Sequence, residues 1–437
     1  MCPSLKTACC GSVTMMLVMF LVSCSTLQQD VKGCSFGVYS NGPKKIVLSD
    51  GTRGDGPPQT AYTFIDGRRG NLDAQAAEVK CESGVIYDSA FQRYQQVALN
   101  EQDVTFESNG STLFGRLITP QNPLGPTNPL AIFVHGSERT PTVGHSRYPW
   151  ILAAQGVSVF VYDKRGTGNS EGSYTQDFQI LGNDAAAAFR AAKRAADGNY
   201  DRIGFFGGSQ GGWVAPLAAT KVEAEFLVVG FGLILSPAEE DAEQVFEEMR
   251  RMGFGSLDIA KAKQITDATG EVVASHFSTG VDQLLQLRNQ FGNEVWLKRI
   301  EGEYTGSLIR ASEQDLNEGH APGFEDDNVD WRYDAAAVIK SLSIPQLWVI
   351  AENDRAAPGQ LTYDRLREMQ KNEMPITTAL FPNTDHGMIE FIELPDGKRQ
   401  YTRFTEGYFR LIADNMNSKT AAPYGSAQIV FAPKERQ

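Results

Sequence analysis

Arg202-Ile203-Gly204-Phe205-Phe206-Gly207-Gly208-Ser209-Gln210-Gly211-Gly212-Trp213-Val214-Ala215-Pro216-Leu217-Ala218-Ala219 is the stretch that decides the fold. Residues 202–206 read as a buried strand, and the run from Gly212 as the start of a helix. Glycines crowd the turn between them. So sharp a turn puts Ser209 at φ > 0, and side chains two positions away on either side would strike strand or helix. Gly207 and Gly211 remove that collision, and Gly208 and Gly212 give further room. The helix start behind the turn supplies free N–H groups and a positive dipole end, which favour an anion. Gly-x-Ser-x-Gly also occurs at residues 33–37, around Ser35, and at 168–172, around Ser170. No strand precedes the first and no helix follows the second, so context singles out Ser209.

Working outward, the surrounding chain repeats strand, loop and helix. Residues 130–134 and 157–162 are continuous apolar runs, as expected of strands buried on both faces. The Ala-rich segment 183–196 is a strong helix, and 226–235, 346–351 and 376–381 continue the strand series. Such alternation implies a largely parallel sheet with helices on both faces. Upstream, Asn109-Gly110 between two alternating runs marks a hairpin. The alternation breaks over 237–331, where 239–252, 257–277 and 281–300 carry helical spacing of apolar residues. An insertion there reads as a helical cap, since ligands of such sheets sit beyond the carboxyl ends of the strands. A surface elaboration away from the site is the plainer alternative.

With these stretches in place, the chain resembles the esterase-like branch of the α/β-hydrolase family over about residues 102–412. Gly207–Gly212 resembles the family's nucleophile elbow. His135-Gly136-Ser137 resembles its oxyanion loop, Tyr162-Asp163-Lys164-Arg165-Gly166-Thr167-Gly168-Asn169-Ser170 the loop after the next core strand, and Ala351-Glu352-Asn353-Asp354-Arg355-Ala356-Ala357-Pro358 the acid loop. The resemblance implies Ser209 as nucleophile and the backbone N–H groups of Ser137 and Gln210 as oxyanion donors. His135 is expected to be structural. In the family's order of serine, acid and histidine, the base must follow the acid. Of the five histidines (135, 145, 276, 320 and 386) only His386 lies beyond Asp354. His276 and His320 fall in the cap. Asp354 is the expected acid; Glu352 sits too near the strand end and Asp385 too near His386. Glu239, Glu240 and Asp241 are the alternative, should the acid sit one strand earlier.

The remainder of the chain bears on location. Of 437 residues, 41% are hydrophobic and 21% charged, an ordinary globular composition. A net charge of −13 with no basic patch excludes nucleic acid as a partner. Lys6, the apolar run 13–22 and Leu21-Val22-Ser23-Cys24 resemble a bacterial lipoprotein signal, residues 1–23, with Cys24 lipidated. An ordinary signal peptide is the alternative. Ser25 after Cys24 implies, by resemblance to enterobacterial sorting, an outer-membrane anchor facing the periplasm. Only Cys34 and Cys81 then remain in the mature chain, which in an oxidising compartment suggests one disulfide, with two separate thiols as the alternative. Residues 24–100 read as a linker and a small β-rich region, 101–236 and 332–437 as the two parts of the core.

The expected activity is hydrolysis of carboxylic esters on a small-molecule acyl substrate through an acyl-enzyme, without metal or organic cofactor. No clustered His/Cys ligands or phosphate-binding loop are present. A serine peptidase or thioesterase would use the same residues, and a non-catalytic ligand-binding surface lipoprotein is the alternative of another class. Cap residues such as Trp296 are expected to set acyl preference.

Overall fold

The computed structural model describes residues 33–52, 56–121 and 127–433, so the leader and Cys24 lie outside the described residues. Turn residues divide the first described segment into short strands: β1 (Gly37–Asn41), β2 (Lys44–Asp50), β3 (Thr60–Phe64), β4 (Arg69–Asn71), β5 (Val79–Glu82), β6 (Val85–Asp88) and β7 (Arg93–Gln96). They form one antiparallel sheet in the order β4-β3-β2-β1-β7-β6-β5. Cys34, just before β1, is bonded to Cys81 on edge strand β5, with Cα atoms 6.1 Å apart. The segment expected to begin as a linker is therefore sheet from Cys34 onward. Its apolar face joins the core of the rest of the chain, where Phe36 meets Trp150 with ring centroids 6.4 Å apart. Alternation along strands of three to seven residues is too short a signal to reveal that second packing surface.

β8 (Leu99–Ser108) and β9 (Ser111–Pro120) pair as the expected hairpin. Asn109 and Gly110 at its tip have φ of 48° and 75°, the positive values a tight two-residue turn demands. β10 (Pro129–Val134), β11 (Ser158–Tyr162), β12 (Arg202–Gly208), β13 (Leu227–Gly230), β14 (Gln346–Ala351), β15 (Ile376–Phe381) and β19 (Gln428–Val430) complete a nine-stranded sheet. β16 (Thr384–Asp385), β17 (Ile389–Glu393) and β18 (Arg399–Phe404) make a small separate sheet. The large sheet runs β19-β15-β14-β13-β12-β10-β11-β9-β8, parallel from β11 to β15 and antiparallel at its flanks.

Alternate side chains of each parallel strand face opposite layers. Ala131 and Phe133 of β10 meet α1 (Tyr148–Ala153), α11 (Tyr408–Met416) and the N-terminal sheet, whereas Leu130, Ile132 and Val134 meet α2 (Phe178–Ala196) and α3 (Gly211–Ala219). Strand order decides where a ligand can sit. From β10 the chain steps to β11 on one side and then back across to β12 on the other. The loops leaving β10 and β12 therefore diverge, opening a crevice at their carboxyl ends.

Between β13 and β14 lie α4 (Pro237–Arg251), α5 (Ser256–Ala274), α6 (Val281–Gln290), α7 (Thr305–Arg310) and α8 (Glu313–Asn317), packed around an apolar core of their own. α9 (Ala335–Ser341) and α10 (Gln360–Lys371) return to the sheet. Two elements differ from the sequence expectation. β13 stops at Gly230, and Leu233–Leu235 are buried in irregular chain, which an apolar run alone does not distinguish from strand. α6 ends ten residues short of 300, because Gly292 and Asn293 are poor helix formers. Trp296 is 0% exposed inside the cap core, packed on Phe291, and so does not line a cleft.

Candidate active site

Ser209 occupies the turn between β12 and α3 with φ of 53°. A Cβ on Gly207 would lie 2.5 Å from the Gly211 carbonyl oxygen, and one on Gly211 2.7 Å from that of Val134. The glycines are thus required by the approach of helix, elbow and neighbouring strand. The other two Gly-x-Ser-x-Gly serines have different surroundings. Ser170 is buried, its Oγ donating to the Asp163 carbonyl and accepting from the Phe114 N–H, which ties its loop to the hairpin. Ser35 lies ahead of β1, where its carbonyl accepts from the Tyr39 hydroxyl.

His386 sits in the bend between β16 and β17, where Gly387 and Met388 take φ of 71° and 62°. Its Nε2 is 3.2 Å from Ser209 Oγ and its Nδ1 2.8 Å from Asp354 Oδ2. Asp354 is 4% exposed in the loop after β14. Its Oδ1 accepts from the N–H groups of Ala356 and Ala357 at 2.9 and 2.7 Å, which leaves Oδ2 turned toward the imidazole. Burial pulls the His386 pKa down, but the charge and hydrogen bond of Asp354 outweigh it, with Asp385 and Glu303 adding to the rise. The net position is above the ordinary histidine value. Phe231 stands edge-on to the imidazole at 5.1 Å between centroids.

The competing acids are engaged elsewhere. Asp385 is bonded to Arg399, the Tyr401 hydroxyl and the N–H groups of Arg355 and His386. Glu239 closes the capping box of α4 and pairs with Arg365. Asp241 accepts from the backbone of Tyr304 and Thr305 and from the Thr305 hydroxyl. Glu240 has no hydrogen bond to His386. Among the remaining histidines, His145 pairs with Asp50, His276 with Asp326 and His320 with Asp315. His135 is buried against Tyr162, and burial holds its pKa well below the ordinary value, so it stays neutral.

Ser137 lies in the loop after β10, beside the elbow, and a Cβ on Gly136 would lie 3.6 Å from Ser209 Cβ. Neither the Ser137 nor the Gln210 backbone N–H has an acceptor among the described residues. Two features escaped the sequence reading. Lys164 is buried beside both donors, with nothing in a loop motif to mark it. Glu240 and Glu303 face the site from the cap. Gln244, one turn beyond Glu240 on α4, donates to Glu303 Oε1 at 2.6 Å and to the Ala356 carbonyl in the Asp354 loop. Burial pushes the Glu240 carboxyl well above its usual range, and Glu303, Asp354 and Asp241 push it further. Only spatial convergence of distant segments reveals either feature.

A family model, the alpha/beta hydrolase family, matches residues 131–397, and the chain belongs to that family. It is thus a hydrolase by fold and family. Among solved structures it is similar to an esterase of Pyrococcus furiosus, at 16% identity and TM-score 0.38, over 66% of this chain and 83% of that one. An acylaminoacyl peptidase of Pyrococcus horikoshii matches at 14% identity and TM-score 0.41, over 82% and 49%. A proline iminopeptidase of Mycobacterium smegmatis matches at 17% identity and TM-score 0.41, over 73% and 99%. No curated protein matches the chain.

Proposed function

We propose that the protein is a serine hydrolase that cleaves carboxylic esters through an acyl-enzyme. The observation that carries this reading is the line from Ser209 Oγ through His386 to Asp354, at 3.2 and 2.8 Å, on a serine held at positive φ ahead of a helix N-terminus. His386 takes the Ser209 proton as Oγ attacks the acyl carbonyl. The oxyanion is received by the N–H groups of Ser137 and Gln210. His386 then protonates the leaving alcohol, and water, activated by the same imidazole, releases the acid. Ser209→Ala should abolish hydrolysis of p-nitrophenyl acetate and labelling by a fluorophosphonate, while Ser35→Ala stays labelled. Labelling that survives in Ser209→Ala overturns the reading.

A second reading, a peptidase acting on substrates with a free amine, is favoured by Glu240 and Glu303. Two carboxylates set against the Asp354 loop repel one another; without a cation the raised Glu240 carboxyl relieves this by holding its proton, and a bound ammonium would let it ionise and pair instead. Glu240→Gln should then lower kcat/KM on aminoacyl anilides by about tenfold relative to p-nitrophenyl acetate, the worth of one partly screened charge pair. An unchanged ratio of the two activities removes this second reading.

We further propose that the chain is anchored through lipid on Cys24 to the outer membrane. The support is the leader sequence alone.

A further inference from the structure

Lys164 is 1% exposed, in the loop that follows β11. Its Nζ donates to the Gly136 carbonyl at 2.6 Å and to Gln210 Oε1 at 3.2 Å, and the Glu138 carbonyl lies at 3.5 Å. The Tyr174 ring covers it at 5.2 Å. No carboxylate forms a salt bridge with it among the described residues. An ammonium buried this way is costly, and a neutral side chain of similar length would fill the space more cheaply.

What the ammonium holds is specific. The Gly136 carbonyl and the Ser137 N–H belong to one planar trans peptide and point in opposite directions. Fixing the oxygen on one side of that plane aims the N–H out of the other. Gln210 supplies the second donor from its backbone, and its side chain is held between Lys164 and Gln176, whose Oε1 accepts from Gln210 Nε2 at 2.8 Å. Tyr174, which stacks on the same ammonium, donates its hydroxyl to the Ser137 carbonyl at 2.6 Å. One cation therefore ties together both halves of the candidate oxyanion hole, which come from loops after β10 and β12.

Resting on the Ser209 reading, we infer that Lys164 is a positioning residue for the oxyanion hole. Its ammonium orients the Gly136–Ser137 peptide and the Gln210 segment, and places positive potential behind the two donors as the carbonyl oxygen gains charge. Its hydrogen bonds go to the Gly136 and Glu138 carbonyls and to Gln210 Oε1, and none goes to Ser209. The charged and titratable groups facing it are Glu138, Arg139, Asp327, His135 and Tyr174. Burial lowers its pKa to about 8, against the opposing pull of Glu138 and Asp327. Below that pH the ammonium is intact, and as pH rises through it the charge is lost.

The test is steady-state hydrolysis of p-nitrophenyl acetate by wild type, Lys164→Met, Lys164→Arg and Ser209→Ala, with melting temperatures. Wild-type kcat/KM should fall as pH rises through about 8. Lys164→Met should lose roughly 10- to 100-fold in kcat, somewhat less than deletion of a donor itself, with KM within about twofold. Its alkaline fall should be absent. Lys164→Arg, charged throughout that range, should recover part of kcat and also lack the fall. A folded Lys164→Met with wild-type kcat overturns the inference, as does a wild-type profile flat to about pH 9.5, a result that stands even if the variant fails to fold. A dead Ser209→Ala beside an unimpaired Lys164→Met sinks this inference alone, whereas an active Ser209→Ala sinks the site on which it rests.

Discussion

Asp354 and Asp385 both lie close to His386, and their hydrogen bonds separate their work. Asp354 spends one oxygen on two backbone N–H groups and presents the other to Nδ1. Asp385 spends both, on Arg399 at 2.6 Å, on Tyr401 and on the backbone. Asp354→Asn should thus lower kcat by about 10⁴-fold, since the amide favours the wrong imidazole tautomer. The pH profile gives an independent check. His386 titrates above 6.5 because Asp354 outweighs burial, so the acid limb of kcat/KM should lie above pH 6.5 in wild type. In Asp354→Asn burial remains and the charge is gone, so the limb should move to lower pH. The same shift has a stability sign. The ion pair stabilises the fold fully below the unfolded histidine pKa of about 6.5, and its contribution fades as pH rises through the raised folded value. An acid limb that does not move in Asp354→Asn would assign the orienting charge to another residue.

At the scale of elements, the N-terminal sheet is seven strands of three to seven residues, with a bond from its first residues to its far edge. Short strands bury little each, so closure of the loop matters. Cys34 and Cys81 are 47 positions apart, and a cross-link of that span stabilises by about 4 kcal/mol on the chain-entropy account. Cys34→Ser with Cys81→Ser should therefore lower the unfolding free energy obtained from chemical denaturation by roughly 2–4 kcal/mol, with activity per folded molecule retained. Equal stability with and without the bond would mean that the sheet's packing on Trp150 and its neighbours already fixes its ends. The cap is held in another way. Trp296, Tyr304 and Leu308 are wholly buried in it, so its shape rests on its own core and only residues at its inner edge, such as Glu240 and Gln244, reach the site.

For the whole molecule, the candidate machinery is assembled from the carboxyl ends of β10, β12 and β14 and from the β16–β17 bend. All of these lie far along the chain from Cys24. Cys24→Ser should accordingly move the protein from the membrane fraction to the soluble fraction, folded and with wild-type kcat on p-nitrophenyl acetate. A variant still found with membranes would remove the lipid anchor from the proposal. The N-terminal sheet stands between the two: it shares one apolar cluster with α1, α11 and the face of the large sheet, so it is part of the body that carries the site.

Local chemistry made much of this legible in the sequence. The elbow around Ser209 is written in glycines because close backbone approach forbids side chains there, and apolar runs mark strands buried on both faces. The order of serine, acid and histidine then left His386 as the single histidine after Asp354. The turn at Asn109-Gly110 was readable for the same reason, since positive φ restricts which residues fit. What only the tertiary structure decided depends on segments remote in the chain. Whether Asp354 or Asp385 met Nδ1 depended on how Arg399 and Tyr401 folded back from β18. The burial of Trp296 depended on five helices closing around it, and the fusion of the N-terminal sheet with the core on a face whose partner lies some hundred residues away. Lys164 carries no mark of its own in sequence, because its meaning is the pair of acceptors, on Gly136 and Gln210, that the β10–β12 crevice brings to one ammonium. Contacts made across that distance are set by packing and strand order, which no local pattern encodes.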